Sequence, residues 1–252
     1  MILIPQIYLK NEKMAMPGET KPSFFSEDPL ETAQRLKDFG ISGILFQDLN
    51  ITPVGHNPNL AVIKTIHQKF EIPFCVAGSF KTEQEIEGYV TAGADFIILG
   101  TIAYQKPDFL EKVCTRFPGK IAAKIEVRHG KVTIPGYAVA PHKTPLDYAQ
   151  YFTGNGVRYL LYSDVDNDGY IAQGGIENLE AFCSCVNARV IAASEVKNLG
   201  EIEKIITRSI PRLEGLVLGK SIYDGHIDLK SAITMVNDLI VSSENDITLT
   251  EM

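Results

Sequence analysis

The chain has 252 residues, 45% hydrophobic and 22% charged, with a formal net charge of −7. That length and composition suit one large α/β barrel or two small domains with a full core. The acidic balance excludes a general nucleic-acid binder, which needs a basic face, and no apolar run reaches membrane-spanning length.

Short apolar runs alternate with amphipathic segments. In chain order the pattern predicts strand 2–9, helix 29–39, strand 43–47, helix 60–70, strand 74–77, helix 82–92, strand 96–99 and helix 107–116. It continues with strand 121–127, helix 144–153, strand 159–163, helix 176–187, strand 190–193, helix 198–208, strand 215–218 and helix 229–241. The strands read as apolar on both sides of the pleat, as parallel strands covered by helices do. Ser26-Glu27-Asp28 is a helix start signal, and Phe39-Gly40, Ala92-Gly93 and Asn155-Gly156 are glycine stops. Strict alternation predicts an α/β fold, a single (β/α)₈ barrel over residues 1–241. Residues 242–252 read as a polar C-terminal tail. Loops 10–28 and 128–143 are longer than a barrel needs, and both follow strands whose ends face the expected mouth.

The chain also repeats itself. Val76-Ala77-Gly78-Ser79-Phe80-Lys81 returns as Ala192-Ala193-Ser194-Glu195-Val196-Lys197. Ile98-Leu99-Gly100-Thr101 returns as Val217-Leu218-Gly219-Lys220, Tyr104 as Tyr223, and Leu45-Phe46-Gln47-Asp48 as Leu161-Tyr162-Ser163-Asp164. The spacing, roughly 116 to 119 residues, is too long for a solenoid and predicts duplicated half-barrels at about 1–120 and 121–241. Matching turns suit a substrate with a phosphate at each end. The candidate anion turns are Gly78-Ser79 with Gly100-Thr101, and Ser194 with Gly219-Lys220. Glu195 burdens the second, so the first is expected to bind more strongly.

Ile4-Pro5 in the first strand, Gln47-Asp48-Leu49 after the second and Ser163-Asp164-Val165-Asp166-Asn167-Asp168-Gly169 after the sixth together resemble a known family. So do Val217-Leu218-Gly219-Lys220-Ser221 after the eighth and the Arg128-His129-Gly130-Lys131-Val132 stretch leading to Gly136-Tyr137. The family is the phosphoribosyl isomerases of histidine biosynthesis, with the related cyclase subunit of imidazole glycerol phosphate synthase. Asp164 and Tyr223-Asp224-Gly225 favour the isomerase side. The resemblance implies an Amadori rearrangement, aminoaldose to aminoketose, of a substrate with two phosphates, without metal or organic cofactor.

The resemblance also places catalytic aspartates on strands one and five, where this chain has Tyr8 and Glu126. Glu126 is the expected proton-transfer group on one side. Asp168 is expected on the other, with Tyr8 donating a hydrogen bond to a sugar oxygen. Ser163 and Asp168 match family positions that contact substrate and assist catalysis, and Gly169 is an expected substrate contact. Asp48 and Asp164 either contact substrate or cap the loops they begin, and Tyr137 either stacks on a substrate ring or is a loop aromatic. His129 and His142 read as solvated. The family's Gly-Gly pair after strand seven is Ser194-Glu195 here. A related phosphosugar isomerase, a silent ligand-binding barrel and a cyclase-like subunit remain alternatives. A glutaminase-type partner is expected only for the last.

Four cysteines, Cys75, Cys114, Cys183 and Cys185, read as reduced thiols, and Cys183-x-Cys185 lacks the second close pair of a zinc site. Met1–Pro5 carries no basic stretch before an apolar run, so a cytoplasmic location is expected. The expected partner is a phosphorylated small molecule, with neither nucleic acid nor membrane.

Overall fold

A computed structural model describes residues 1–18, 20–51, 57–136 and 142–250, with side chains through 239. Tyr137 lies outside the described residues. The first half holds β1 (Ile2–Lys10), β2 (Lys13–Ala15), α1 (Pro29–Asp38), β3 (Ile44–Asp48), α2 (Pro58–Phe70), β4 (Phe74–Gly78), α3 (Glu83–Thr91), β5 (Phe96–Leu99), α4 (Thr101–Gln105) and α5 (Pro107–Arg116). The second holds β6 (Ile121–Arg128), β7 (Lys131–Thr133), α6 (Pro145–Gly154), β8 (Tyr159–Asp164), α7 (Gly175–Cys185), β9 (Arg189–Ala192), α8 (Leu199–Thr207), β10 (Leu213–Leu218), α9 (Lys220–Tyr223) and α10 (Leu229–Thr250).

Eight strands pair in parallel in the order β1-β3-β4-β5-β6-β8-β9-β10, and β10 pairs back onto β1. The fold is a closed (β/α)₈ barrel. Inside it, Ile4, Leu45, Cys75, Phe96, Ile98, Ala122, Leu161, Ile191 and Val217 form the packed plug. The larger core lies outside the strands, under the helices. Residues alternate in and out along each strand, so the positions two and four beyond the plug point into the mouth.

The two long loops begin with structure that the sequence reading left out. Each strand before them folds back as a hairpin, β1 on β2 and β6 on β7. The turns are Asn11-Glu12 and His129-Gly130, all four residues at positive φ. That is the two-residue turn whose twist matches a hairpin. Buried Leu9 opposite Met14, and Val127 opposite Val132, hold the two hairpins down.

Much of the internal repeat is structural. Glu85 and Glu201 each accept, at 2.7 Å, the backbone N–H of the lysine four residues earlier, Lys81 and Lys197. Thr82 and Asn198 cap the same two helices. Tyr104 donates to the carbonyl of Lys124 on β6 at 2.6 Å, and Tyr223 to that of Gln6 on β1 at 3.3 Å. Each tyrosine thus ties the end of one half to the first strand of the other. Helix α10 runs to Thr250, so the polar tail has helical backbone beyond 241. Among the described residues no helix is long and apolar enough to cross a membrane.

Candidate active site

The C-terminal strand ends surround a cavity of about 330 Å³. Its polar lining comes from Gln6 and Tyr8 on β1, Gln47 on β3, Lys124, Glu126 and Arg128 on β6, Ser163 on β8, and Glu195 after β9. Strands β1 and β6 stand four places apart in the ring of eight, so Tyr8 and Glu126 face each other across the mouth. They are equivalent in local pairing as well. Tyr8 lies beside Gln47 and opposite Ala15, and Glu126 beside Ser163 and opposite Thr133.

Burial alone would raise the Glu126 carboxyl. The Lys124 ammonium at 2.8 Å and the Arg128 guanidinium at 3.1 Å outweigh it and hold the group below its ordinary range. Glu126 is therefore held as a carboxylate at neutral pH. Burial, with help from Glu195, pushes the Tyr8 phenol far above its ordinary value. It is a neutral donor, set edge-on to Tyr223 with ring centres 5.6 Å apart. Ser163 is 1% exposed and its hydroxyl has no hydrogen-bond partner, although it lines the cavity. A buried hydroxyl without a partner is costly.

Other residues singled out from the sequence stand elsewhere. Asp48 is 2% exposed and does not line the cavity. Its carboxylate accepts from the Asn59 amide at 2.8 Å, the Asn50 backbone at 2.7 Å and the Tyr89 hydroxyl. Asp164 accepts from the Asn178 amide at 2.7 Å, and its own N–H donates to the Ser194 hydroxyl at 2.8 Å. Both aspartates thus hold the loop and helix that follow them. Asp168 is exposed on the turn after β8, while its neighbour Gly169 reaches the cavity lining. The exposed His129 ring bonds to the Asn167 side chain at 3.0 Å.

The two anion turns differ. At β5–α4, Gly100 faces open space among the described residues, and the Thr101 hydroxyl donates to the Pro135 carbonyl at 3.4 Å. Gly78 is packed under Ile51, which leaves no room for a Cβ, and Ser79 is exposed. At β10–α9 the cradle is occupied. Glu195 accepts from the backbone N–H groups of Gly219 and Lys220, both at 2.9 Å, and of Ser221 at 3.1 Å. The Ser221 hydroxyl adds a bond at 2.7 Å. The Lys220 ammonium is turned to Asp224 and to Tyr170 at 3.1 Å, and Lys197 to Asp166 at 3.4 Å. Both lysines thus pair with other carboxylates than Glu195.

Sequence reasoning missed Gln6, Gln47, Lys124 and Arg128. The signal was present in Lys124-Ile125-Glu126-Val127-Arg128. Charge at every second residue of a parallel strand puts one polar face toward the barrel interior.

The family of histidine biosynthesis proteins matches residues 2–228. The chain is 30% identical over 239 residues to the isomerase of 1-(5-phosphoribosyl)-5-((5-phosphoribosylamino)methylideneamino)imidazole-4-carboxamide from Chelativorans sp. strain BNC1, covering 94% of this chain and 98% of that one. It is 29% identical to the enzyme of that name from Rhizobium etli, over 94% and 97% of the two chains. The corresponding figures for the Brucella ovis protein are 30%, 94% and 98%. The chain belongs to this histidine biosynthesis family, and it resembles the isomerase among its members.

Proposed function

We propose that this family member is a cytoplasmic aldose–ketose isomerase of a phosphorylated aminosugar, working without metal or organic cofactor. One observation carries the reading. A carboxylate kept ionised, Glu126, faces a phenol kept protonated, Tyr8, across a cavity that also holds the unpartnered Ser163 hydroxyl. An Amadori rearrangement needs a proton delivered to the ring oxygen and another taken from C2 of the sugar. Glu126 supplies the base for the second transfer, and Tyr8 a neutral hydrogen-bond donor across from it.

Glu126 takes the C2 proton. Asp168, on the rim turn, delivers the proton that opens the ring, and Tyr8 donates a hydrogen bond to a sugar oxygen. Ser163 binds a substrate hydroxyl. The Gly100-Thr101 turn, with Gly78 and Ser79 beside it, receives a phosphate on its backbone N–H groups. The relatives' name supports a substrate of this kind, since it contains phosphoribosyl and phosphoribosylamino groups.

The test is turnover in D₂O followed by proton NMR: C2 of the aminoaldose loses its hydrogen to the base as it becomes the ketose carbonyl, and one deuterium from solvent enters C1. The panel comprises the relatives' substrate and the glycosylamine of ribose 5-phosphate. Wild type should turn over at least one of them, and Glu126→Gln should be about 100-fold slower, the span of a general base. No turnover with either compound would end the isomerase reading and favour a silent ligand-binding barrel.

A further inference from the structure

The turn at Gly219-Lys220 has the form of an anion receptor, and the chain fills it with its own side chain. We propose that Glu195 sets the substrate class: its carboxylate takes the place of a second phosphate, so the substrate carries a phosphoryl group at the Gly100-Thr101 end only. This rests on the isomerase reading for the location of the substrate in the mouth.

The donors are fully used. Three backbone N–H groups and the Ser221 hydroxyl converge on two carboxylate oxygens at 2.7 to 3.1 Å. Charge-assisted bonds of this kind are the strong ones. Gly219 permits the approach, because a Cβ there would lie 2.9 Å from the Glu195 carboxylate and 2.8 Å from the Gln6 amide oxygen. The backbone that carries Glu195 is itself fixed, since its carbonyl accepts from Ile171 at 2.7 Å.

A phosphate entering here would exchange one anion for another and leave the displaced carboxylate close by. It would also meet Asp224, whose carboxylate is held ionised by Lys220 and Tyr170. The nearby ammonium groups are already paired. The chemistry that fits this end is a hydroxyl or amino group, which Tyr8, Gln6 and the outer face of Glu195 can bind.

Phosphate counting decides the matter without any turnover, so it stands or falls apart from the isomerase reading. Inorganic phosphate is titrated into the whole chain by calorimetry. Glu195→Gly and Glu195→Ala should each gain one phosphate per chain over wild type; the alanine variant serves if the glycine variant does not fold. Each should also bind the relatives' phosphoribosyl substrate about 100-fold more tightly. A wild type that already takes two phosphates overturns the proposal, and so does the absence of any gain in a folded variant.

Discussion

The turns leaving β5 and β10 occupy equivalent places in the two halves, yet one is open and the other closed by a carboxylate. The difference comes down to a few side chains. Ser79 stands where the second half has Glu195, and Gln105 where it has Asp224. A serine is too short to reach across to the next strand's turn, whereas a glutamate spans the gap and satisfies every donor there. Duplication supplied the same backbone twice, and side-chain length and charge decided what each copy can hold.

The largest effect should come from carrying the difference across the barrel. Ser79→Glu should close the first turn and weaken phosphate binding there by about 100-fold, equivalent to roughly 2.7 kcal/mol. Calorimetry with inorganic phosphate reads this directly. Unchanged affinity would mean that the open turn is not where phosphate sits.

Next comes the pair of aspartates that hold the loops after β3 and β8. Asp48→Ala leaves the buried Asn59 amide and the Tyr89 hydroxyl without their acceptor. It should cost about 2 kcal/mol, and Asp164→Ala, which deprives chiefly Asn178, about half that. Melting temperatures should fall by roughly 2–4 °C per kcal/mol for a chain of this size. Equal losses at the two positions would remove this asymmetry between the halves. Loss of binding without loss of stability would make the aspartates ligand contacts.

The smallest effect is on pH dependence, where Tyr8 and Glu126 contrast as equivalent positions on opposite strands. The Glu126 carboxyl is held below its unfolded value, so its stabilisation is complete above the ordinary carboxylate range and is lost as pH falls through the folded value. Glu126→Gln should flatten the acid limb of a melting-temperature profile by less than about 1 kcal/mol, because the group remains partly exposed to solvent screening. Tyr8→Phe should leave that limb alone. A steeper acid limb in Glu126→Gln would contradict the pairing with Lys124 and Arg128.

Period and punctuation in the chain were enough to place the barrel. Apolar runs alternating with helical patterns, glycine stops such as Gly40, Gly93 and Gly156 at positive φ, and a repeat at half the chain length all follow from local rules. The hairpins were not read from the sequence, because Asn11-Glu12 is not a common turn pair and β2 and β7 are three residues each. The facing of Tyr8 and Glu126 could be placed from sequence because strand number fixes position around a closed barrel. The sequence by itself thus determined the fold, the family resemblance and the residues at the strand ends. Only the tertiary structure decided which of them share a cavity, that Asp48 and Asp164 are held by buried amides, and that Glu195 lies in the neighbouring turn. The reason is physical: a carboxylate's role depends on the donors within about 3 Å of it, and here those donors come from residues up to 41 positions away in the chain.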